Sequence, residues 1–236
     1  MGTLLVAAII FIAVFTQSLT GFGVALVSMA LLPDLLGIQV AAPLVALVAL
    51  TLEGTLLLRY RLGLNLRAIQ PLVVTALIGI PIGVWGLRGV DEKLLLAVSG
   101  MIIAGYAVYA LFQFRLPDLR YPAWAYAAGF LAGLFGGAYN TSGPPVIVYG
   151  DCRRWSPSEF KANLQGFFLL NDLIVVLTHA LNCNLSADVG AHFLWSLPAI
   201  GAGVIAGTRL EKRLDPAVFR KVVLVLLLGM GIRLVF

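Results

Sequence analysis

Residues 122–149 read PAWAYAAGFLAGLFGGAYNTSGPPVIVY, an apolar stretch without a single charged side chain. A helix that crosses a bilayer needs about 20 residues, so this stretch is too long for one untilted span. It is also interrupted near its middle, where Gly136-Gly137 and Pro144-Pro145 flank a polar segment. Glycine is flexible and proline lacks an N–H, so both weaken a helix. We therefore predict a broken helix here, and its path across the bilayer decides the topology of everything that follows.

The composition of the whole chain is that of a membrane protein. Of its 236 residues, 61% are hydrophobic and 11% are charged, and the mean hydropathy is +0.99. A soluble domain has about 45–50% apolar and about 25% charged residues. This comparison excludes a soluble enzyme, a nucleic-acid-binding module, a disordered chain and a disulfide scaffold. The first basic residue is Arg59, so we expect no cleavable secretory signal, which would need a basic start.

Apolar stretches separated by charges or turn residues follow one another along the chain. Most of them match the length of one transmembrane helix. The stretch 3–33 is again too long, and it is interrupted at Thr20-Gly21-Phe22-Gly23. The complete set is 3–33, 40–58, 68–87, 94–113, 122–149, 158–181, 188–208 and 217–236.

The distribution of basic residues decides how the two long stretches cross. If each is a hairpin that returns to its own side, 13 of the 16 Lys and Arg residues share one side of the membrane. If 122–149 instead crossed once, the split would be 6 to 10. Basic residues concentrate in cytoplasmic loops, which favours the hairpins. We therefore predict that both termini are periplasmic and that the net charge of +5 reflects topology rather than an anionic partner.

This topology contains an internal repeat. Residues 1–113 and 114–236 each form a broken hairpin followed by three spans, so the second half runs inverted relative to the first. The pairs Gly79/Gly83 and Gly203/Gly207 occupy matching places, each before a charged loop that ends in Asp. The predicted fold is an all-α polytopic bundle of two inverted repeats. Transporters with this architecture bind substrate near the bilayer midplane, where the helices are discontinuous.

The two glycine-rich breaks resemble those of a known family. Thr20-Gly21-Phe22-Gly23 and Gly136-Gly137-x-x-Asn140-Thr141-Ser142-Gly143-Pro144-Pro145 are similar to elements of the sulfite exporter TauE/SafE family, also called the toluene sulfonate uptake permease family. The resemblance covers nearly the whole chain. It implies transport of sulfite, sulfonates or related sulfur anions across the bacterial inner membrane.

The first break is a candidate binding site for the substrate. Gln17 and Thr20 offer an amide and a hydroxyl, and Gly21, Phe22 and Gly23 expose backbone N–H groups. Such N–H groups at the start of a half-helix attract anions. The alternative is a packing break, where glycine admits a neighbouring helix.

The second break is richer in hydrogen-bond donors. Asn140, Thr141, Ser142 and Gly143 follow one another, and no Lys or Arg lies deep in any predicted span. A sulfonate has three acceptor oxygens and no donor, so uncharged donors could hold it without a buried cation. We expect these four residues to bind substrate.

Three amides along stretch 158–181 are further candidates. Asn163 and Asn171 are eight residues apart and so lie near one helix face, whereas Gln165 does not. All three are predicted to take part in substrate binding. The alternative is hydrogen bonding between helices, worth about 0.6 kcal/mol on average in membranes.

Glu53 and Asp172 are the charged residues that lie well inside predicted spans. Charged groups there are costly and usually functional, so both are candidates for proton coupling. The alternatives are a Glu53 side chain that reaches the headgroups near Arg59, and an Asp172 that bonds Asn171 or Thr178.

These observations favour a secondary transporter of small sulfur-containing anions that works by alternating access. The alternatives are an anion channel and a membrane enzyme or scaffold without transport activity. Short loops and the lack of a catalytic constellation argue against the enzyme and the scaffold, so we expect no enzymatic activity. We expect no cofactor, metal or nucleic-acid partner. The expected partners are the small anion and the lipid bilayer, and the sequence is compatible with a homodimer.

Overall fold

The computed structural model describes residues 2–86, 92–112, 119 and 121–211, together with residues 221, 224–225, 228–229, 231–232 and 235. Within these ranges the chain forms α-helices and a short 3₁₀ turn at Arg61–Gly63, without a strand. The helices are α1 (Gly2–Thr20), α2 (Val24–Leu31), α3 (Pro33–Leu36), α4 (Ile38–Tyr60), α5 (Leu66–Gly86), α6 (Glu92–Phe112), α7 (Ala123–Tyr139), α8 (Gly143–Cys152), α9 (Pro157–Leu181) and α10 (Ala187–Leu210).

The all-helical, multi-pass character predicted from the sequence is confirmed. Five helices in the described part of the chain are long and apolar enough to cross a bilayer, namely Thr3–Thr20, Ile38–Gly63, Leu66–Trp85, Ser158–Leu181 and Ala187–Leu210. The predicted spans coincide with α4, α5, α6, α9 and α10 to within two residues at each end. The predicted span 217–236 lies largely outside the described residues.

Both long apolar stretches are broken, as predicted. Between α1 and α2, Gly21 and Gly23 have φ values of 92° and 121°, a region that glycine enters without a steric penalty. Between α7 and α8 the left-handed residue is Asn140, with φ 56°. The second break begins later than its glycines suggested, because Gly136 and Gly137 lie inside α7.

Contacts divide the chain into two compact units. Unit 1 comprises residues 1–48, 90–114 and 183–236, and unit 2 comprises 49–89 and 115–182. Each unit draws helices from both halves of the sequence. In unit 1, α1 packs on α10; in unit 2, α5 packs on α7 and α9.

The glycines of α7 allow a close approach to α5. A Cβ at Gly133 would lie 2.6 Å from the Ala76 Cα, and one at Gly137 would lie 3.0 Å from the Ile80 carbonyl carbon. Gly79 and Gly83 on α5 meet the α7 backbone in return. Small residues four apart are typical of helix contacts in membranes, where backbones approach directly.

Glycines also allow close helix packing in unit 1, where α10 approaches α1. On α10, a Cβ at Gly203 would lie 2.8 Å from Val14 Cγ1, and one at Gly207 would lie 2.9 Å from the Phe15 carbonyl oxygen. The two predicted glycine pairs therefore act as helix contacts. The division into halves at residue 113 and the inverted relation between them stay predictions.

Candidate functional site

The second break is shaped by the end of α7 and the start of α8. The Asn140 N–H donates to the Gly136 carbonyl oxygen at 2.8 Å, and the Thr141 N–H donates to that of Phe135 at 3.3 Å. Asparagine tolerates the left-handed conformation that this turn requires. Pro144 and Pro145 then stand in the first turn of α8, where a missing N–H costs no helical bond.

The backbone of this turn is bonded, but two of its side chains have no hydrogen-bond partner in the described part of the chain. Asn140 is 3% exposed and Thr141 is 1% exposed. Neither the amide nitrogen and oxygen of Asn140 nor the hydroxyl of Thr141 has a hydrogen-bond partner among the described residues. A buried polar group without a partner costs about 1–3 kcal/mol. Such a cluster is therefore expected where a ligand or water supplies the bonds.

Asn171 of α9 reaches the same break. A Cβ at Gly136 would lie 3.0 Å from Asn171 Nδ2 and 3.1 Å from Ser142 Cβ, so the missing side chain of Gly136 makes room for both. Asn171 Nδ2 donates to Asp172 Oδ1 at 2.9 Å. Its Oδ1 is buried and accepts no bond from any described residue.

Behind Asn171 lies a pair of buried carboxyl groups. Glu53 on α4 is 2% exposed and Asp172 is 4% exposed. The two carboxyl groups lie close enough to interact. The structure thus brings the two predicted proton-coupling residues together, and their role in proton coupling stays a prediction.

In the first break, Gln17 and Thr20 form hydrogen bonds with the backbone. Gln17 Oε1 accepts from the Val24 N–H at 3.0 Å and so caps α2. Thr20 Oγ1 lies 2.6 Å from the Phe22 carbonyl oxygen and 2.9 Å from that of Thr16. These bonds give Gln17 and Thr20 a structural role, and their contact with substrate stays a prediction.

Phe22 and the two glycines complete the first break. The Phe22 ring packs edge-on against Tyr106 of α6, with ring centroids 5.7 Å apart. Gly21 N–H donates to the Gln17 carbonyl oxygen at 2.7 Å. A Cβ at Gly23 would lie 3.2 Å from Thr16 Cγ2. Ring packing places Phe22 and steric fit places Gly23, and substrate contact by Gly21, Phe22 and Gly23 stays a prediction.

The remaining predicted site residues are Asn163, Gln165 and Gly143. Asn163 Oδ1 accepts from the Asn65 N–H at 2.8 Å, which ties the loop before α5 to α9. Eight helical residues separate Asn163 from Asn171, a rise of about 12 Å. Gln165 is fully buried. A Cβ at Gly143 would meet only ordinary contacts, of 3.5 Å to Ile147 and 3.7 Å to Phe168.

Two residues with a part in these sites, Tyr106 and Asn65, were not predicted from the sequence, and a third, Gly136, was predicted with a different role. Gly136 was assigned to the break itself, although its role is to admit Asn171 and Ser142. Tyr106 packs on Phe22, and Asn65 binds Asn163. A tyrosine inside an apolar span was an available signal for Tyr106, whereas the other two contacts depend on tertiary packing.

Comparison with known proteins identifies the family of this chain. The family model of the sulfite exporter TauE/SafE matches residues 6–234. The chain is 24% identical over 223 residues to a "Probable sulfite/organosulfonate exporter TauE" of Cupriavidus necator, covering 92% of this chain and 87% of that protein. It is 27% identical over 180 residues to a "Probable inner membrane transporter protein TsaS" of Comamonas testosteroni, covering 73% and 75%.

No solved structure matches the chain. The family model nevertheless spans almost the full length, including both helix breaks and the carboxyl pair. The family is one of membrane transporters and not of enzymes. The chain therefore belongs to the sulfite exporter TauE/SafE family.

Proposed function

We propose that this protein is a secondary transporter that moves sulfite, thiosulfate or an organosulfonate across the bacterial inner membrane. The observation that carries the proposal is the second break, where Asn140 and Thr141 keep buried polar atoms without partners in the described part of the chain. Irregular backbone and unbonded polar groups at membrane depth are tolerated where they line a protein or water-filled site.

The chemistry of the second break suits an oxyanion. The Asn140 amide and the Thr141 hydroxyl can donate hydrogen bonds to a sulfonate or sulfite group. Pro144 and Pro145 remove two N–H groups from the start of α8, so side chains rather than backbone must supply most donors. The positive end of the α8 dipole still favours a negative ligand.

The names of the relatives support the choice of substrate. One relative is named as a sulfite and organosulfonate exporter, and the other as an inner membrane transporter. We propose small sulfur anions as the substrate class of this chain as well. The proposal places both chain ends in the periplasm, as the basic loops favour.

Helix packing supports an inverted repeat and alternating access. In unit 2, α5 from the first half packs on the broken helix α7 of the second half. In unit 1, α10 from the second half packs on the broken helix α1 of the first half. The two contacts are equivalent under the predicted repeat, because α5 corresponds to α10 and α7 corresponds to α1. In our proposal, access to the substrate alternates between the two sides of the membrane, with Glu53 and Asp172 as carriers of a coupled proton.

Flux through purified protein in liposomes tests this function. We expect saturable uptake of radiolabelled sulfite or thiosulfate that rises with a proton gradient and is not inhibited by acetate. Unitary currents in planar bilayers would instead identify an anion channel. Absence of flux for sulfite, thiosulfate and methanesulfonate would contradict the proposed substrate class.

A reporter fused after Phe236 tests the orientation. We expect alkaline phosphatase at this position to be active, because that enzyme works in the periplasm. Activity of a cytoplasmic reporter at the same position would overturn the predicted hairpins and, with them, the inverted repeat.

A further inference from the structure

A groove lies between α5 and α9 inside unit 2. Its volume is about 260 Å³, and residues of α5 from Leu66 to Val74 line it together with Leu170 of α9. Leu66, Val74 and Leu170 are 63%, 47% and 38% exposed, so the groove is open to the surface. As far as the chain is described, its lining residues include none from the two helix breaks.

The groove has a polar end and an apolar end. Arg67 and Gln70 are three residues apart on α5 and so lie on one helix face, close to its first turn. Val73 and Val74 follow along the same helix, and Val74 is about 10 Å further from its start than Arg67. Because the apolar span begins at Leu66, the polar end lies at headgroup level and the valines lie within the hydrocarbon.

The start of α5, which carries Arg67, is held against α9. The Asn65 N–H donates to Asn163 Oδ1 at 2.8 Å, and Asn65 Nδ2 donates to Glu159 Oε1 at 3.2 Å. Asn65 Oδ1 also accepts from the Ala68 N–H at 3.2 Å, within the first turn of α5. The exposed Arg67 side chain therefore extends from a backbone that hydrogen bonds fix in place.

The segments at the polar end carry an excess of positive charge. Residues 58–67 and 157–163 hold four basic side chains and one acidic one, namely Arg59, Arg61, Arg67 and Lys161 against Glu159. Basic pockets between transmembrane helices on the cytoplasmic side bind the headgroups of anionic lipids. The charge at this end of the groove therefore favours a negatively charged headgroup.

Exposed leucines stand among these basic residues. Leu58 is 73% exposed and Leu62 is 97% exposed, and they flank Arg59 and Arg61 in the chain. Apolar and basic side chains that alternate in this way are typical of a segment at the membrane interface, where leucine enters the lipid and arginine meets the headgroups. The polar end of the groove thus lies beside lipid.

We propose that the groove between α5 and α9 binds one anionic phospholipid of the phosphatidylglycerol type. Arg67 binds the phosphate through the planar guanidinium, which can donate two parallel hydrogen bonds to it, and the Gln70 amide donates to a further headgroup oxygen. One acyl chain lies along Val73, Val74 and Leu170. The site is filled from the bilayer and is independent of the substrate that the protein moves.

A second copy of the chain fits this face less well than a lipid does. Two copies with the same orientation in a membrane are related by a twofold axis along the membrane normal, so their basic ends stay at one level. A symmetric contact pairs a patch with itself, so it would bring the two basic segments together. A phospholipid instead brings a negative charge to the basic end and an apolar chain to the valines.

Native mass spectrometry of the full-length protein in detergent tests this site. The probes are phosphatidylglycerol and phosphatidylcholine with the same acyl chains. We expect one phosphatidylglycerol per chain, bound about fivefold more tightly than phosphatidylcholine, because only the former has a net negative charge. An excess of sn-glycerol 3-phosphate, which has the phosphate but no acyl chain, should not displace it.

Three substitutions divide the site into its two ends. Arg67→Gln removes the charge and should weaken phosphatidylglycerol binding about tenfold, with loss of the preference over phosphatidylcholine. Val74→Trp keeps Arg67 but fills the apolar end, so it should weaken both lipids. Arg209→Gln, the matched control, removes an exposed arginine of α10 that does not line the groove, and should bind as the wild type does.

The proposal fails if the wild type binds the two lipids equally, or if phosphatidylglycerol binding is unchanged in Arg67→Gln or in Val74→Trp. An equal loss in Arg209→Gln would also contradict it, because the effect would then come from overall charge. Displacement by sn-glycerol 3-phosphate would identify a soluble phosphate ester as the ligand. A lipid-free wild-type dimer that Val74→Trp converts to a monomer would assign the groove to an interface between copies.

Discussion

The two helix breaks differ in how they use their polar side chains. At the first break, Gln17 and Thr20 bond the surrounding backbone, and the left-handed positions are glycines. At the second, the left-handed position is Asn140, and the Asn140 and Thr141 side chains have no partner among the described residues. One break is stabilised by its own side chains, and the other retains free hydrogen-bonding capacity.

Because of this difference, we expect the polar side chains of the first break to affect stability and those of the second break to affect anion binding. A bonded side chain stabilises the fold by about 0.5–1.5 kcal/mol, whereas a buried one without a partner destabilises it. Substitutions in the first break should therefore lower stability, and substitutions in the second should lower affinity for the anion.

The largest effect is expected at Gly23. Its φ of 121° and the 3.2 Å approach of Thr16 Cγ2 make Gly23→Val strained in both backbone and side chain. Backbone strain of this kind costs about 1–3 kcal/mol before any clash is counted. We expect loss of monodisperse protein on size exclusion and a lower thermal midpoint.

Gly143→Ala is the matched control in the second break. Its Cβ would meet Ile147 and Phe168 at ordinary distances, so we expect a change in stability within about 0.5 kcal/mol. If Gly23→Val were as stable as the wild type, or Gly143→Ala as damaging as Gly23→Val, the two breaks would not differ as described.

A smaller and more diagnostic effect is expected from two Thr→Val changes. Thr20→Val removes a hydroxyl bonded to the break backbone and should lower stability by about 1 kcal/mol. Thr141→Val removes a buried hydroxyl without a partner in the described chain and should leave thermal stability unchanged or raise it. Anion affinity should fall more in Thr141→Val than in Thr20→Val. The reverse ranking in both assays would assign binding to the first break.

The sequence predicted helices and breaks well because their signals are local. Apolar length placed α4, α5, α6, α9 and α10, and Gly and Pro placed the interruptions. The exact start of the second break was not predictable from glycine alone. Gly136 and Gly137 stay helical because the packing of α7 on α5, and of Asn171 on Gly136, uses their missing side chains.

The sequence predicted which residues belong to the sites but not which of them contact each other. Glu53 and Asp172 stood out as isolated charges, yet their proximity depends on tertiary structure. Asn163 and Asn171 shared a helix face, but only tertiary structure separates an amide that ties down a loop from one at the break. Hydrogen-bond partners distant in sequence carry no local signal.

The most direct test of the account is anion binding by Asn140→Gly. Glycine keeps the left-handed turn at φ 56° and removes only the amide, whose atoms have no partner in the described chain. Loss of a hydrogen bond to a charged ligand costs about 1.5–3 kcal/mol, or about 10- to 150-fold in Kd. We predict that loss in titrations with methanesulfonate, at an unchanged thermal midpoint; wild-type affinity in this variant would contradict binding at the second break.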